Sequence, residues 1–578
     1  MYKQFQYILT FIVFLCGINL TFSQEKDTIQ TDVINVVKPY TPTISDAFKL
    51  KSTPTLDDDA TTQKKEIDYS ILSVPVASTY IPTKGKAAVV EQEKPTPVYD
   101  NYINFGYGSY GNLQTELNAS KEFNRIGSFG ARFALDKSKD GIEDEVLDDS
   151  FSKLKVELDY INRQRDLTWS VRGGLKAQEY NWYGVDDRYN ISKNKNKDVE
   201  HNYYDLYLEG DVEYDYTYIR SASLTLRRFY DNFDSGETHL DFDGTVNLPV
   251  MDEEINTDVR FEYFSGQAGT TYANSRLPEY GNLLLGVSPS YEIRRDDYTL
   301  NVSVSMYYML GMDSTESNFY LFPNLTGSYR IVDDALIAYG GFTGDVIQNT
   351  YRDFVHTNPF LSPSINVKPT DNNFNVYAGM LGKFTNNISY NVKVGYSSED
   401  DKFLFMKNPF PATGDSMAGS TNYKYGNSFQ VVYDDINTLQ ALLEVNADMN
   451  KNLKIGFRAE YNNYHTTLEE EAWNLPSIKG SLFGDYVSDY KWFAGANFFY
   501  VGERKDQNLL QTGTTTTSEI IDVKGYFDLN LNGGYNVSNA FTVFVKLNNL
   551  TAQNYEHWDN YNLQGFQVLG GATFQFDF

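Results

Sequence analysis

Histidine, cysteine and clustered carboxylates are the side chains in this sequence best suited to metal or acid–base chemistry, and they are sparsely arranged. His201, His239, His356, His465 and His557 are scattered, none with a second His or Cys at ligand spacing, and the single cysteine is Cys16. A transition-metal centre of clustered His and Cys is therefore not expected, and each histidine reads as a loop or rim residue. Asp140, Glu143, Asp144, Glu145, Asp148 and Asp149 crowd one stretch. Their oxygens could hold Ca²⁺, but the spacing is not that of an EF-hand, and solvated loop charge is the expectation. Asn181-Trp182-Tyr183-Gly184 could stack a sugar or aromatic ligand; the bland alternative is an interfacial aromatic girdle, which also accounts for most of the 46 Tyr. No Ser/His/Asp or paired-carboxylate constellation stands out. The expectation is no enzyme, no catalytic residue, no cofactor and no metal.

The 578 residues carry 77 acidic and 49 basic side chains, a net charge of −28. Clustered Lys and Arg are what phosphate binding needs, so nucleic acid is excluded as a partner. With no cysteine past residue 16 a disulfide scaffold is excluded as well. At about 150 residues per soluble domain the length suggests about four domains, a count that a single large β architecture escapes.

Residues 1–23 read as a secretory signal. Lys3 supplies the charge, 7–15 the apolar stretch and Thr21-Phe22-Ser23 the cleavage site, so Gln24 begins the mature chain. The apolar run is too short for an anchor helix, and bulky residues before Cys16 disfavour lipidation. Residues 24–100 hold seven of the 17 prolines, which fix extended geometry and remove donors. Apolar islands at 33–37 and 69–76 suit a segment that docks on the chain's own barrel or on a partner; a flexible periplasmic arm is the alternative.

From residue 101 to 578 the pattern has period two. Leu206, Leu208 and Val212 alternate with Asp205, Glu209 and Asp211, and Leu300, Val302 and Val304 with Asn301, Ser303 and Ser305. Tight polar turns such as 163–166 and 450–452 are interleaved with long connections such as 179–201, 346–372, 398–424, 503–519 and 550–564. Strands of ten or more residues match the about 9–11 needed to cross a bilayer at a tilt, and short turns facing long loops are the pattern of an outer-membrane barrel. The fold class expected is all-β: a transmembrane antiparallel barrel of 22 strands, or 24 if 402–407 and 428–433 also span. Descending strands are placed at 520–533 and at the carboxyl end. There Phe574, Phe576 and Phe578 close an alternating run, the signal barrel-assembly machinery recognises. Outer-membrane lipid is the first partner implied, with both termini periplasmic.

The last ~60 residues resemble the end of TonB-dependent receptor barrels. The carriers are 528–535, then Leu547-Asn548-Asn549-Leu550, Tyr555, Gly565 and the terminal Phe578. The resemblance implies a 22-strand barrel and solute transport, and the chain is similar to receptor-like barrels of Bacteroidota. One departure is large: the 77 residues between the cleavage site and the first strand are too few and too proline-rich for the family's globular plug. Coupling to TonB would use a short extended segment captured by strand addition. Asp32, Val33, Ile34, Asn35, Val36 and Val37 could serve, or could dock elsewhere as a strand. Three functions follow: a pore or transporter occluded by its own amino-terminal segment or loops, an accessory subunit of an outer-membrane secretion, assembly or lipoprotein complex, and a receptor that borrows a plug. The substrate is not legible.

Overall fold

The computed structural model describes residues 99–577 apart from 125, 140, 143–144, 146, 186–198, 216–217, 251–252, 273–275, 314, 410–421, 489–490 and 513–514. The expected signal 1–23, the segment 24–98 with its strand 32–37, and Phe578 lie outside the described residues.

Twenty-two of the 26 described strands form one antiparallel sheet in chain order, and β26 (Gln567–Phe576) returns to pair with β1 (Asn101–Gly108), so the sheet closes into a barrel. The other four make two hairpins inside long connections: β20 (Arg504–Thr512) with β21 (Thr515–Val523), and β24 (Glu556–Trp558) with β25 (Tyr561–Asn562). Connections at the end where Asn101 meets Phe576 are short, such as 164–166, 295–297 and 451–452. At the other end they are long: 348–369, 408–428, 466–477, 502–525 and 549–566. These are called the turn end and the loop end.

Alternation in sequence becomes alternation in burial. On β6 (Glu200–Tyr214) Asp205 and Tyr207 are 3% and 9% exposed, while Leu206 and Leu208 are 42% and 53% exposed. The same outward apolar positions recur around the ring, from Phe105 through Val304 and Val394 to Val545. A belt of that extent is far larger than any patch a soluble monomer leaves in water, and hydrocarbon is its matching solvent. Exposed Phe123, Tyr218, Phe384 and Trp492 ring the turn end, where an aromatic girdle belongs. No helix among the described residues is long and apolar enough to cross a membrane; closed strands satisfy their own backbone and can cross instead. Leu208→Arg at mid-strand is therefore expected to cost about 2–4 kcal/mol of barrel stability, read as loss of the heat-modifiable band on electrophoresis.

The strand count is 22, not 24. Residues 402–407 and 429–433 are strand, but they prolong β15 (Ile388–Lys407) and β16 (Phe429–Asn450) beyond the rim rather than adding crossings. The expected strand at 520–533 is also corrected. The barrel strand is β22 (Tyr526–Asn536), and Ile521 and Val523 belong to the outlying hairpin.

The closing seam depends on glycine. Gly571 faces Gly106 of β1 on one side and Phe544 of β23 (Phe541–Asn548) on the other. A Cβ there would stand 2.4 Å from the Phe105 carbonyl oxygen and 2.4 Å from the Phe544 ring. Phe574 faces outward and stacks on Phe576 at 5.8 Å, as the terminal alternation requires.

By strand spacing and tilt a 22-strand ring is roughly 40 Å across. Its inner wall is polar and paired: Asp205 lies between Arg227 (2.8 Å) and Lys176 (3.6 Å), and Arg172 meets Glu209 at 3.2 Å. Toward the turn end a polar recess of about 860 Å³ is lined by Arg163, Asp211, Asp243, Asp258 and Asp345 among others.

Candidate functional site: a loop lid across the barrel mouth

An apolar core forms at the loop end, where inward-facing residues of the wall strands meet the long connections. Buried Leu147, Trp182, Tyr203, Phe229, Phe264, Tyr351, Phe405, Phe429, Trp558 and Tyr561 belong to one cluster. They come from rim strands and loops distributed round the barrel. The connection after β5 (Leu167–Asn181) and the one after β15 start ten strands apart in the ring of 22, yet Asn427 Nδ2 donates to the Trp182 carbonyl at 2.7 Å. The Tyr561 hydroxyl donates to the Asn427 carbonyl from a third loop. Loops rooted on opposite walls therefore meet over the mouth. Phe360 stacks on Tyr561 at 3.7 Å, and Trp558 lies 5.4 Å from Phe429 and 5.6 Å from Phe405. Aromatic pairs of this kind add about 0.5–1.5 kcal/mol each beyond the area they bury.

The prolonged β15–β16 hairpin is the blade of this lid. Phe403, Phe405, Phe429 and Val431 pack into the large core from one face. Leu404, Met406 and Val432 pack from the other face against Trp473. The blade leaves the wall at a bulge between Glu399 and Lys402, where Asp401 takes a φ of 50°; a bulge bends and twists its strand. Lys368 and Thr370 hold the bend, the lysine by a 2.8 Å ion pair to the Asp401 carboxylate and the threonine by a 2.9 Å hydrogen bond to its carbonyl.

A short helix, α1 (Tyr351–Thr357), is clamped to the rim by two carboxylates. Glu237 accepts the Tyr351 and Arg352 amides at 2.7 and 3.1 Å, which a helix's first turn leaves without intrahelical partners. Asp231 accepts the Tyr351 hydroxyl at 2.9 Å and also faces His201 Nε2 at 3.1 Å.

On the opposite side a buried ion pair latches the blade. Lys407 Nζ lies 2.6 Å from Asp559 Oδ2, with both side chains under 10% exposed. Beside it, wholly buried Asp506 accepts the Lys407 and Gln507 amides at 3.0 and 2.8 Å. Burial pushes the Asp506 carboxyl up to about 6, with the charge of Asp559 adding to the rise. The folded lid thus holds this proton more tightly than the unfolded chain. The contribution of Asp506 to stability is greatest below about pH 4 and declines as pH rises to about 6, by about 2–3 kcal/mol in all. Asp506→Asn is expected to remove that decline, seen as loop proteolysis rates that no longer rise between pH 4 and 7. Burial, with the charges of Arg504 and Lys479, lowers His557 to about 4, so it is neutral at neutral pH.

The sequence-marked residues fall into place around this lid. Leu547 and Asn548 finish β23. Asn549 is buried at a φ of 48°, where its Nδ2 donates to the Gln553 and Gln564 carbonyls and its Oδ1 accepts the Gln553 amide. Half-exposed Leu550 donates its amide to Leu529. Tyr555 stacks on Tyr526 at 4.0 Å and donates to Asp528 at 2.8 Å. Gly565 lies beside Tyr110. These contacts tie the start of the last long loop to its end at Gln564 and to the wall strand at Asp528. Asn548, Asn549 and Tyr555, with Asp136, Lys153 and His356, line a cavity of about 450 Å³ at the lid. Trp182 and Tyr183 are buried in the lid core, not in a girdle or an open stacking site. His239 is neither loop nor rim but sits on the wall strand β8 (Gly236–Val250). In the acidic stretch Asp149 accepts the Ile142 amide and Asp148 the Ser150 amide; Asp140, Glu143 and Asp144 lie outside the described residues. Glu237, Lys407, Asp506 and Asp559 had no sequence signal, because their partners are remote in the chain.

No protein-family model and no curated protein matches the sequence. In three dimensions the chain is similar to solved structures of outer-membrane receptors. The siderophore receptor PirA from Acinetobacter baumannii superposes with a TM-score of 0.62 at 11% identity, over 84% of this chain and 81% of that one. The ferripyoverdine receptor of the outer membrane of Pseudomonas aeruginosa, bound to ferripyoverdine, gives 0.60 at 12% identity, over 84% and 73%. The ferric-catecholate import receptor Fiu from E. coli K12, in a closed form, gives 0.57 at 9% identity, over 83% and 82%. At these identities the likeness is one of fold, that of TonB-dependent receptor barrels. Among the described residues there is no plug domain.

Proposed function

We propose that this chain is an outer-membrane barrel for passage of solutes, a transporter rather than an enzyme, whose loop end faces outside and is shut by its own lid, with both termini periplasmic. The observation that carries the reading is the single apolar core built across the mouth by loops from opposite walls. The lumen of a strand ring roughly 40 Å across would leak large solutes if it stayed open, and its wall of paired charges is suited to water rather than to a dry core. Residues 1–23 direct export on this reading, 24–100 restrict the lumen or engage a periplasmic partner, and 32–37 supply a strand for addition to that partner. Phe574, Phe576 and Phe578 mark the chain for barrel assembly.

Single-channel recording of the purified chain in planar bilayers tests the proposal. Little steady current is expected from the full chain, a rise on deleting 24–100, and a further rise when the lid core is also broken. Silence in every form would overturn transport. A stoichiometric partner on purification would then favour the accessory-subunit reading.

A further inference from the structure

Just beneath the lid core, where the His239 ring meets Phe264 edge-on at 5.8 Å, the lumen wall carries a set of side chains with metal-ligating chemistry. His239 and Asp241 are two residues apart on β8 and so share a face. The register with β9 (Glu253–Gln267) sets Asp241 directly opposite Glu262. One ligand atom from each of the three lies within 4.8 Å of the others, and His239 Nε2 is 2.6 Å from Glu262 Oε1.

The electrostatics of this set are incomplete without a cation. Carboxylates directly opposite on paired strands repel, and Glu262, 1% exposed, has little water to screen it. Arg260 offsets one charge through a 2.7 Å contact with Glu262 Oε2, but Asp345 and Asp241 also face the same guanidinium, so one cation serves three carboxylates. Asp241 Oδ1 is buried without a hydrogen-bond partner.

We propose that His239 Nε2 and one oxygen each from Asp241 and Glu262 bind a divalent transition metal on the inner wall of the barrel. A mixed imidazole and carboxylate set suits zinc, copper, nickel or cobalt better than calcium or magnesium, which prefer all-oxygen ligands. Donor atoms about 2.0–2.2 Å from a tetrahedral ion stand roughly 3.3–3.6 Å apart, so an ion in place of the hydrogen bond would widen the 2.6 Å His239–Glu262 contact and hold Asp241, which lies within 4.8 Å of both. Arg260 becomes an outer partner that fixes Oε2 and leaves Oε1 for the metal. Three protein ligands leave coordination positions open to the lumen. The site holds whether or not the barrel conducts.

Titration of the full detergent-folded chain with Co²⁺, followed by visible absorption, tests the assignment. One saturable equivalent is expected, displaced by Zn²⁺, with Asp241→Asn and His239→Gln each weakening it at least tenfold. Glu209→Gln, elsewhere on the wall, should leave it unchanged. Electron paramagnetic resonance of the wild-type chain loaded with one Cu²⁺ gives a readout independent of any variant, and coupling to a single imidazole nitrogen is expected. No saturable binding by the wild-type chain, copper coupled to no nitrogen, or undiminished affinity in both variants would overturn the proposal.

Discussion

Lys407→Met is expected to unfasten the lid while leaving the barrel closed. The substitution keeps the length of the side chain but strands Asp559, which with Lys407 is almost fully buried, beside a second buried carboxylate, Asp506. Removing one member of a buried ion pair costs about 3–5 kcal/mol, because the survivor is left as an uncompensated charge. That cost falls on the lid and not on the wall. Lys407 lies at the tip of the blade, beyond the last crossing of the membrane belt, and its backbone contact with Asp506 survives the change. Limited proteolysis should show loop cleavage at least tenfold faster than in the wild type, with the heat-modifiable barrel band unchanged. The double variant Lys407→Met, Asp559→Asn should recover most of the protection, since removing both charges leaves none stranded. Equal loss in the single and double variants would mean that packing, and not charge, fastens the blade.

What could be read in advance follows from the range over which each signal acts. The barrel was legible because its alternation is local: Asp205 inward and Leu206 outward are decided by solvent on either face. The strand count was ambiguous for a reason visible in Lys402–Lys407. There Phe403, Leu404, Phe405 and Met406 are apolar without alternation, the mark of a strand buried on both faces. The structure has that arrangement, with odd residues in the large core and even ones against Trp473. Loss of alternation was thus the signal that the hairpin had left the membrane. The hydrogen bonds of Asn549 to 553 and 564 were not legible, because a loop's internal contacts leave no periodic trace in the sequence. Trp182 was misplaced because an aromatic in a long loop has no local cue to say whether it meets lipid, ligand or another loop. The pairing of His239 and Asp241 with Glu262 was hidden because ligand spacing was sought along the chain, whereas these residues meet across a register that only the closed sheet defines.

Phe429→Ala is expected to produce the largest opening of any single substitution in the lid. Phe429 is fully buried, touches Trp558 and Tyr561, and exchanges backbone hydrogen bonds with the opposing loop through the Phe360 carbonyl and the Ser362 amide. Truncating a phenylalanine in a packed core costs about 3–5 kcal/mol, the lost transfer energy plus the cavity left behind. Among the described residues the loops that meet here have no second apolar core of comparable size, so much of that loss should appear as separation of the blade from the loops facing it. In bilayers the variant lacking 24–100 should conduct at least tenfold more often when it also carries Phe429→Ala. Because Phe429 and Lys407 are cross-strand partners on one blade, their effects should not add. Once either is changed the hairpin is partly released and the other has less to lose, so the coupling energy should be of the order of 0.5–3 kcal/mol. Full additivity would mean that the latch and the aromatic core fasten two separate bodies. A current no greater than that of the chain lacking 24–100 alone would show that the loop core does not obstruct the route through the lumen.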